Sequence, residues 1–227
     1  MTMKPIVISL GGSILFSNET TTEYLNQVVK KITEISKHNR VYLIIGGGRI
    51  AREYIQIGRK MGLPEHSLDE LGIQVTRVNA LLLAYMFNIP TPLIPPTTED
   101  AAQQQSNLVI MGGTTPGHST DMVGAEIAEK THAIRFIIAT DVNGIYDKDP
   151  KKHNDAQQFS KIHISDLIKT YGTDWESAGK NMVIDGPALL IIQKAKIPTV
   201  VVNGLDLHHL ENALLGKPCN GTMILVD

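Results

Sequence analysis

The chain has 227 residues, 42% of them hydrophobic and 19% charged, with 21 Lys and Arg against 23 Asp and Glu. This gives one compact domain with a substantial core, and a formal net charge of -2 argues against nucleic-acid backbone or an anionic membrane as the main partner. Small-molecule chemistry is the better expectation. A single cysteine, Cys219, excludes an internal disulfide framework and a cysteine-built zinc site, and it suits a reducing, cytoplasmic setting. The stretch from Met1 to Leu15 is too short to span a bilayer and has no small-residue cleavage site. No other run approaches the ~18 apolar residues that a membrane helix needs.

Short apolar runs recur along the chain, each followed by a turn signal and then a helical pattern. Ile6–Leu10, Val41–Ile45, Leu108–Met111, Phe136–Ala139 and Thr199–Val202 read as buried parallel strands. Between them, Thr22–Lys37, Ile50–Met61, Leu71–Phe87, Asp121–His132 and Pro187–Ala195 carry apolar residues at three- and four-residue spacing and read as crossover helices. The alternation predicts an α/β fold with a mainly parallel sheet covered on both faces and ligands at the carboxyl ends of the strands. Pro90–Pro96 and Gln103–Gln105 mark irregular connections, and nothing divides the chain into independent domains. A softer boundary falls near Gly113, with one pair of glycine-rich turns before it and the Thr140–Pro150 segment after it.

The candidate chemistry lies where strands end. The first strand runs into Gly11-Gly12-Ser13, whose amides lack flanking Cβ atoms and could cradle phosphate; an ordinary tight turn is the plainer reading of a single Gly-Gly taken alone. The second strand ends in Gly46-Gly47-Gly48 and is followed by Arg49 and Arg52, and three successive glycines exceed what turn geometry requires. Arg52, one turn into the next helix, could reach back to the same anion as a forked donor, whereas Arg49 reads equally as a solvated helix-start residue. Two anion cradles in one sheet suggest two phosphorylated ligands.

A third cluster, Gly112-Gly-Thr-Thr-Pro-Gly-His-Ser-Thr-Asp121, places hydroxyls, amides and an imidazole before a helix, which suits a polar ligand. Asp121 could be only a helix cap. His118 could be only a surface histidine, since it has no second ligand at metal spacing. A fourth, Thr140-Asp-Val-Asn-Gly-Ile-Tyr-Asp-Lys-Asp-Pro150, reads either as an adenine or ribose site or as a polar hairpin with Asn143-Gly144 at its tip. The chain has no G-x-x-x-x-G-K-S/T run, no dinucleotide G-x-G-x-x-G with a distant acid, and no G-x-S-x-G elbow.

Taken in order, Leu10-Gly-Gly-Ser13, Gly46-Gly-Gly-Arg-Ile-Ala-Arg52, the Gly112–Asp121 loop and Thr140-Asp-Val-Asn-Gly-Ile-Tyr146 with Asp149-Pro150 resemble the amino acid kinase superfamily over the full length. Within it, the G-G-T-x-P-G-H-S/T-T-D loop is similar to that of the archaeal UMP kinases. Leu71–Ala80 looks like that family's helix after the substrate aspartate. The resemblance implies a three-layer α/β/α sandwich catalysing reversible transfer of the γ-phosphoryl group of ATP to UMP, with Mg²⁺. The segment before about Gly113 would be mainly the acceptor side and the segment after it mainly the ATP side.

Carried over by position, the ATP contacts fall on Ser9, Leu10, Gly11, Gly12, Ser13, Gly48, Arg52, Thr140, Asp141, Tyr146 and Asp149. The UMP contacts fall on Gly47, Asp69 and the loop residues Thr114, Thr115, Pro116, Gly117, His118, Ser119 and Thr120. A carboxylate at Asp69 suits a ribose diol, though an exposed aspartate at a helix start is the plainer reading of that residue alone. The resemblance also implies a homohexamer built from dimers, with Thr22–Lys37 or Ile50–Met61 at the contacts.

Two departures matter. Many relatives carry a lysine in the first strand and bacterial UMP kinases a second in the ATP loop, where this chain has Ser9 and Asp141. Phosphoryl transfer asks mainly for in-line positioning and neutralisation of charge, so that charge must come from elsewhere. Mg²⁺, Arg52 and the amides of Gly11, Gly12, Gly47 and Gly48 are expected to carry most of it, with Asp185 positioning the cation or a water and Lys180 a weaker candidate. A kinase of another small phosphate, such as isopentenyl phosphate, and a non-catalytic nucleotide or oxyanion binder are the competing readings.

Overall fold

The computed structural model describes residues 3–15, 20–173 and 183–226. In chain order these form β1 (Lys4–Leu10), α1 (Gly12–Leu15), α2 (Thr22–Ser36), β2 (Asn39–Ile45), α3 (Gly48–Lys60), α4 (Glu65–Met86), α5 (Thr98–Gln103), β3 (Leu108–Met111), α6 (Thr120–Lys130), β4 (Arg135–Thr140), β5 (Lys161–His163), α7 (Ile164–Tyr171), α8 (Gly186–Ala195), β6 (Thr199–Asn203), α9 (Leu207–Leu215) and β7 (Gly221–Leu225). The strands make one seven-stranded sheet in the order β3-β2-β1-β4-β6-β7-β5. Every pairing is parallel except β6 with β7.

The central strands are apolar along their length because both faces are covered, which is why they read as runs rather than alternations. On one face Ile6, Ile8, Leu43, Ile45 and Ile137 pack against Val28 and Ile32 of α2, Leu83 of α4 and Leu210 of α9. On the other, Val7, Tyr42, Ile44, Phe136 and Ile138 pack against Val123 and Ile127 of α6, Leu167 of α7 and Leu189 of α8. The result is the expected three-layer sandwich with a core on each side of the sheet.

Helix starts follow capping chemistry. The side chains of Thr21, Ser119, Asp185 and Asp206 accept backbone N–H groups at the starts of α2, α6, α8 and α9. All five predicted strands and all five predicted helices form, with ends shifted by a residue or two, except that α4 starts at Glu65, six residues before Leu71. That first turn and a half is mostly polar, so periodicity does not mark it. β5 and β7 also escape the pattern: one is three residues long, and the other alternates buried and exposed positions near the sheet edge.

Candidate active site

β1 and β2 are parallel neighbours with Leu10 opposite Ile45, so their following turns leave the sheet side by side. A Cβ added to Gly12 would lie 2.1 Å from Gly48 N, and one added to Gly48 would lie 2.4 Å from Gly12 O. Gly48 also has φ +65°, in the left-handed region that favours glycine. The two glycine turns touch only because neither carries a side chain. They bring the N-terminus of α3, with its unpaired amides and positive dipole end, to the top of the sheet.

Above them lies an open cavity of about 1220 Å³. Its wall includes Gly11, Gly12, Ser13, Gly47, Gly48, Arg52, Asp69, Thr115, Gly117, His118, Ser119, Thr120, Thr140, Asp141, Tyr146 and Asp149, so most of the residues singled out in the sequence converge here. The two ends differ. One is built from Asp69 and the Thr115–Asp121 loop; the other combines the apolar Val142, Ile145, Tyr146, Phe159, Ile162 and Leu167 with charged neighbours such as Asp141, Lys148, Asp149 and Lys151.

Five residues expected at the site lie off this wall. Leu10 is fully buried in the core, and its carbonyl accepts Gly46 N–H at 3.0 Å. Ser9 is 2% exposed and donates its hydroxyl to Asp121 Oδ1. Any contact from either to a nucleotide is therefore a backbone contact. Thr114 and Pro116 line a smaller adjoining hollow with Leu63, Ser67 and Arg77. Asp185 is engaged at both oxygens, Oδ1 by Ala188 N–H at 2.9 Å and Oδ2 by the Ser119 hydroxyl, so it caps α8 and braces the loop instead of facing the cavity. Lys180 falls outside the described residues.

The charged groups around the cavity differ in their engagement. Arg52 faces the cavity and carries no ion pair among the described residues, whereas Arg49 is held by Glu53 at 2.7 Å on the outer surface. Asp121, at the start of α6, has its carboxyl pushed up to about 7. Burial is the largest cause and the neighbouring Asp185 the next, with the Ser9 hydroxyl opposing both. Ser119, not Asp121, caps the helix. His118 sits 3.5 Å from Glu126, whose second oxygen accepts the Thr98 hydroxyl at 3.0 Å.

Sequence reading missed the role of α4. Asp69 Oδ2 accepts Gly117 N–H at 2.9 Å, Thr76 Oγ1 accepts Gly113 N–H at 2.7 Å, and Arg77 donates to the carbonyls of Gly113 and Thr114, both at 3.1 Å. Asn79 Nδ2 donates to Gly46 O at 2.9 Å and to Gly47 O at 3.3 Å. One helix thus holds the polar loop and the second glycine turn in register. Buried Thr76 and Asn79 among the apolar positions of Leu71–Phe87 are the signal that could have disclosed it.

A mainly parallel α/β/α sandwich whose two apposed glycine turns present backbone amides to one cavity defines a class of protein built to receive anionic ligands. The profile of the Amino acid kinase family matches residues 4–203, and the chain belongs to that family. It is 42% identical over 221 residues to a uridylate kinase of Thermoplasma volcanium, covering 96% of each chain. It is 40% identical over 228 residues to a uridylate kinase of Methanococcus vannielii, covering 97% of this chain and 99% of the other. Its fold superposes with a TM-score of 0.83 on the crystal structure of uridylate kinase from Archaeoglobus fulgidus, at 38% identity over 98% of this chain and 100% of that one.

Proposed function

We propose that the chain is a UMP kinase that transfers the γ-phosphoryl group of ATP to UMP, giving ADP and UDP for pyrimidine nucleotide synthesis. The observation that carries this reading is the contact between Gly12 and Gly48, which sets two anion cradles under one cavity. The near full-length relatives named uridylate kinase support the choice of UMP.

In this reading the adenine lies against Tyr146 and its apolar neighbours, and the donor phosphates run over Gly11–Ser13. Gly48 and Arg52, at the start of α3, hold the donor's γ-phosphoryl group beside the UMP phosphate at Gly47, while the nucleoside of UMP is held by Asp69 and the Thr114–Thr120 loop. An oxygen of the UMP phosphate forms a bond to the γ-phosphorus as the bond from that phosphorus to the β,γ-bridging oxygen breaks, and ADP leaves with the electron pair. The protein's part is alignment and charge neutralisation, with amides and a guanidinium aimed at the transferred group.

Mg²⁺ enters with the donor nucleotide as part of the substrate. No cluster of three His, Cys, Asp or Glu suited to hold a metal occurs among the described residues. A cytoplasmic setting fits the lone, half-buried Cys219, and no helix among the described residues is long and apolar enough to cross a membrane.

A homohexamer built from dimers is part of the proposal. Large exposed apolar side chains gather on α3, its C-cap Met61 and α4, where Tyr54, Ile57, Met61, Val78, Leu82 and Tyr85 are each about half exposed or more. A solvated monomer rarely keeps such a face. α2, the other helix expected at a contact, turns its apolar residues to the core.

A coupled ADP-release assay with MgATP tests the function, offering UMP, CMP, dUMP, isopentenyl phosphate and acetylglutamate in parallel. Release is expected chiefly with UMP. Nucleotide binding without release for any acceptor would instead identify a binder, and release with isopentenyl phosphate alone another small-phosphate kinase.

A further inference from the structure

The polyphosphate of the donor nucleotide needs a cation at the mouth of the first glycine turn, and the residue beside that turn is a carboxylate. β1 and β4 are parallel neighbours with Leu10 opposite Ala139, and Gly11 N–H donates to Ala139 O at 3.0 Å. Thr140 and Asp141 therefore leave the sheet alongside Gly11 and Gly12. A bare carboxylate there would repel phosphate. It is not bare: Lys151 Nζ lies 2.5 Å from Asp141 Oδ2, and both residues line the cavity.

The lysine is delivered by an ordered loop. Lys151 N–H donates to Asp149 Oδ1 at 3.0 Å, the amides of Lys152 and His153 both donate to Asp149 O, and Asp147 exchanges hydrogen bonds with Gln157. The pair itself is partly solvated, with the Lys151 side chain 58% exposed and that of Asp141 32%. Such pairs contribute little to stability, so the fold gains little from placing one here. Of the other lysines on the cavity wall, Lys148 is engaged by Asp155 at 2.6 Å and Lys161 stands at the start of the edge strand β5.

Resting on the phosphotransfer reading above, we infer that Lys151 is a catalytic residue: its ammonium, held ready by Asp141, moves onto the terminal phosphate oxygens of the donor nucleotide and neutralises charge that develops as the γ-phosphoryl group transfers. A lysine suits this because its flexible stem carries a compact charge from carboxylate to phosphate. Asp141 is the positioning residue, restraining the ammonium in the empty site.

The test compares Lys151→Met, Lys151→Arg, Asp141→Asn and the Asp141→Asn/Lys151→Met double variant, with Lys194→Met, an exposed lysine on α8, as the control. Lys151→Met is expected to lower kcat by about 100-fold or more, the usual effect of removing one aimed donor, with KM for UMP changed by less than about threefold. Lys151→Arg should recover most of the loss, and the double variant should be no more active than Lys151→Met. A Lys151→Met kcat within about threefold of the parent overturns the inference. So does recovery in the double variant, which would mean that Lys151 only cancels Asp141. Calorimetric titration with MgATP and with AMP separates this from the kinase reading. If the parent protein does not phosphorylate UMP, that reading fails, yet selective loss of MgATP binding in Lys151→Met still upholds the contact and unchanged binding removes it.

Discussion

Ser9 Oγ donates a 2.6 Å hydrogen bond to Asp121 Oδ1, joining β1, an inner strand of the sheet, to the first turn of α6. Asp121 lines the cavity beside the Thr115–Thr120 loop, with Ser9 behind it, and Asp185 stands close enough to raise the Asp121 carboxyl further. Two carboxylates and two hydroxyls thus form a small polar island between β1, α6 and α8, and within it Asp121 titrates where ordinary aspartates do not.

This sets a pH dependence. Asp121 has a folded value of about 7, against about 3.9 for an aspartate in an unfolded chain. Between those values the native state binds a proton that the unfolded state has released, so the contribution of Asp121 to stability is fully present below about pH 4 and is lost as pH rises through about 7. Asp121→Asn keeps the hydrogen bond from Ser9 and removes the titration. Melting temperatures from pH 5 to 8.5 should show the variant gaining on the parent as pH rises, and parallel curves would contradict the assignment.

Arg52 lines the cavity and has no ion pair among the described residues. Its replacement by Ala should lower kcat by about 100-fold while raising KM for ATP far less, as removal of a transition-state donor does. A variant with near-parental kcat would assign Arg52 to ground-state binding or to the surface.

Thr76 is 7% exposed, and its hydroxyl bonds both Gly113 N–H and Ile73 O. Thr76→Val strands a buried amide and should cost about 1–3 kcal/mol of stability. Because Gly113 opens the acceptor loop, KM for UMP should also rise, with KM for ATP little changed. Thr76→Ser should restore both, and steady-state kinetics beside urea unfolding check the pair.

The apolar face of α3 and α4 bears on assembly. Ile57 is 56% exposed and Val78 64%. Ile57→Glu and Val78→Glu should each shift light-scattering mass toward a smaller species without unfolding the chain, since neither side chain is needed by the core. Parental mass in both variants would move the contacts elsewhere.

The sequence by itself determined the strand-helix alternation, since buried parallel strands must be apolar throughout, and it located the glycine turns, because only glycine permits the Gly12–Gly48 contact. It also named the loops that meet in the cavity, since their residues carry recognisable local chemistry. What it could not determine depends on which distant side chains meet. Tertiary packing turned Asp185 into a cap bonded to Ser119, tied α4 to two loops through Thr76, Arg77 and Asn79, and set Lys151 against Asp141. A hydrogen bond or ion pair across the fold leaves no period in the chain, because its partners are chosen by sheet order and loop path, which are settled only when the two cores close on the sheet.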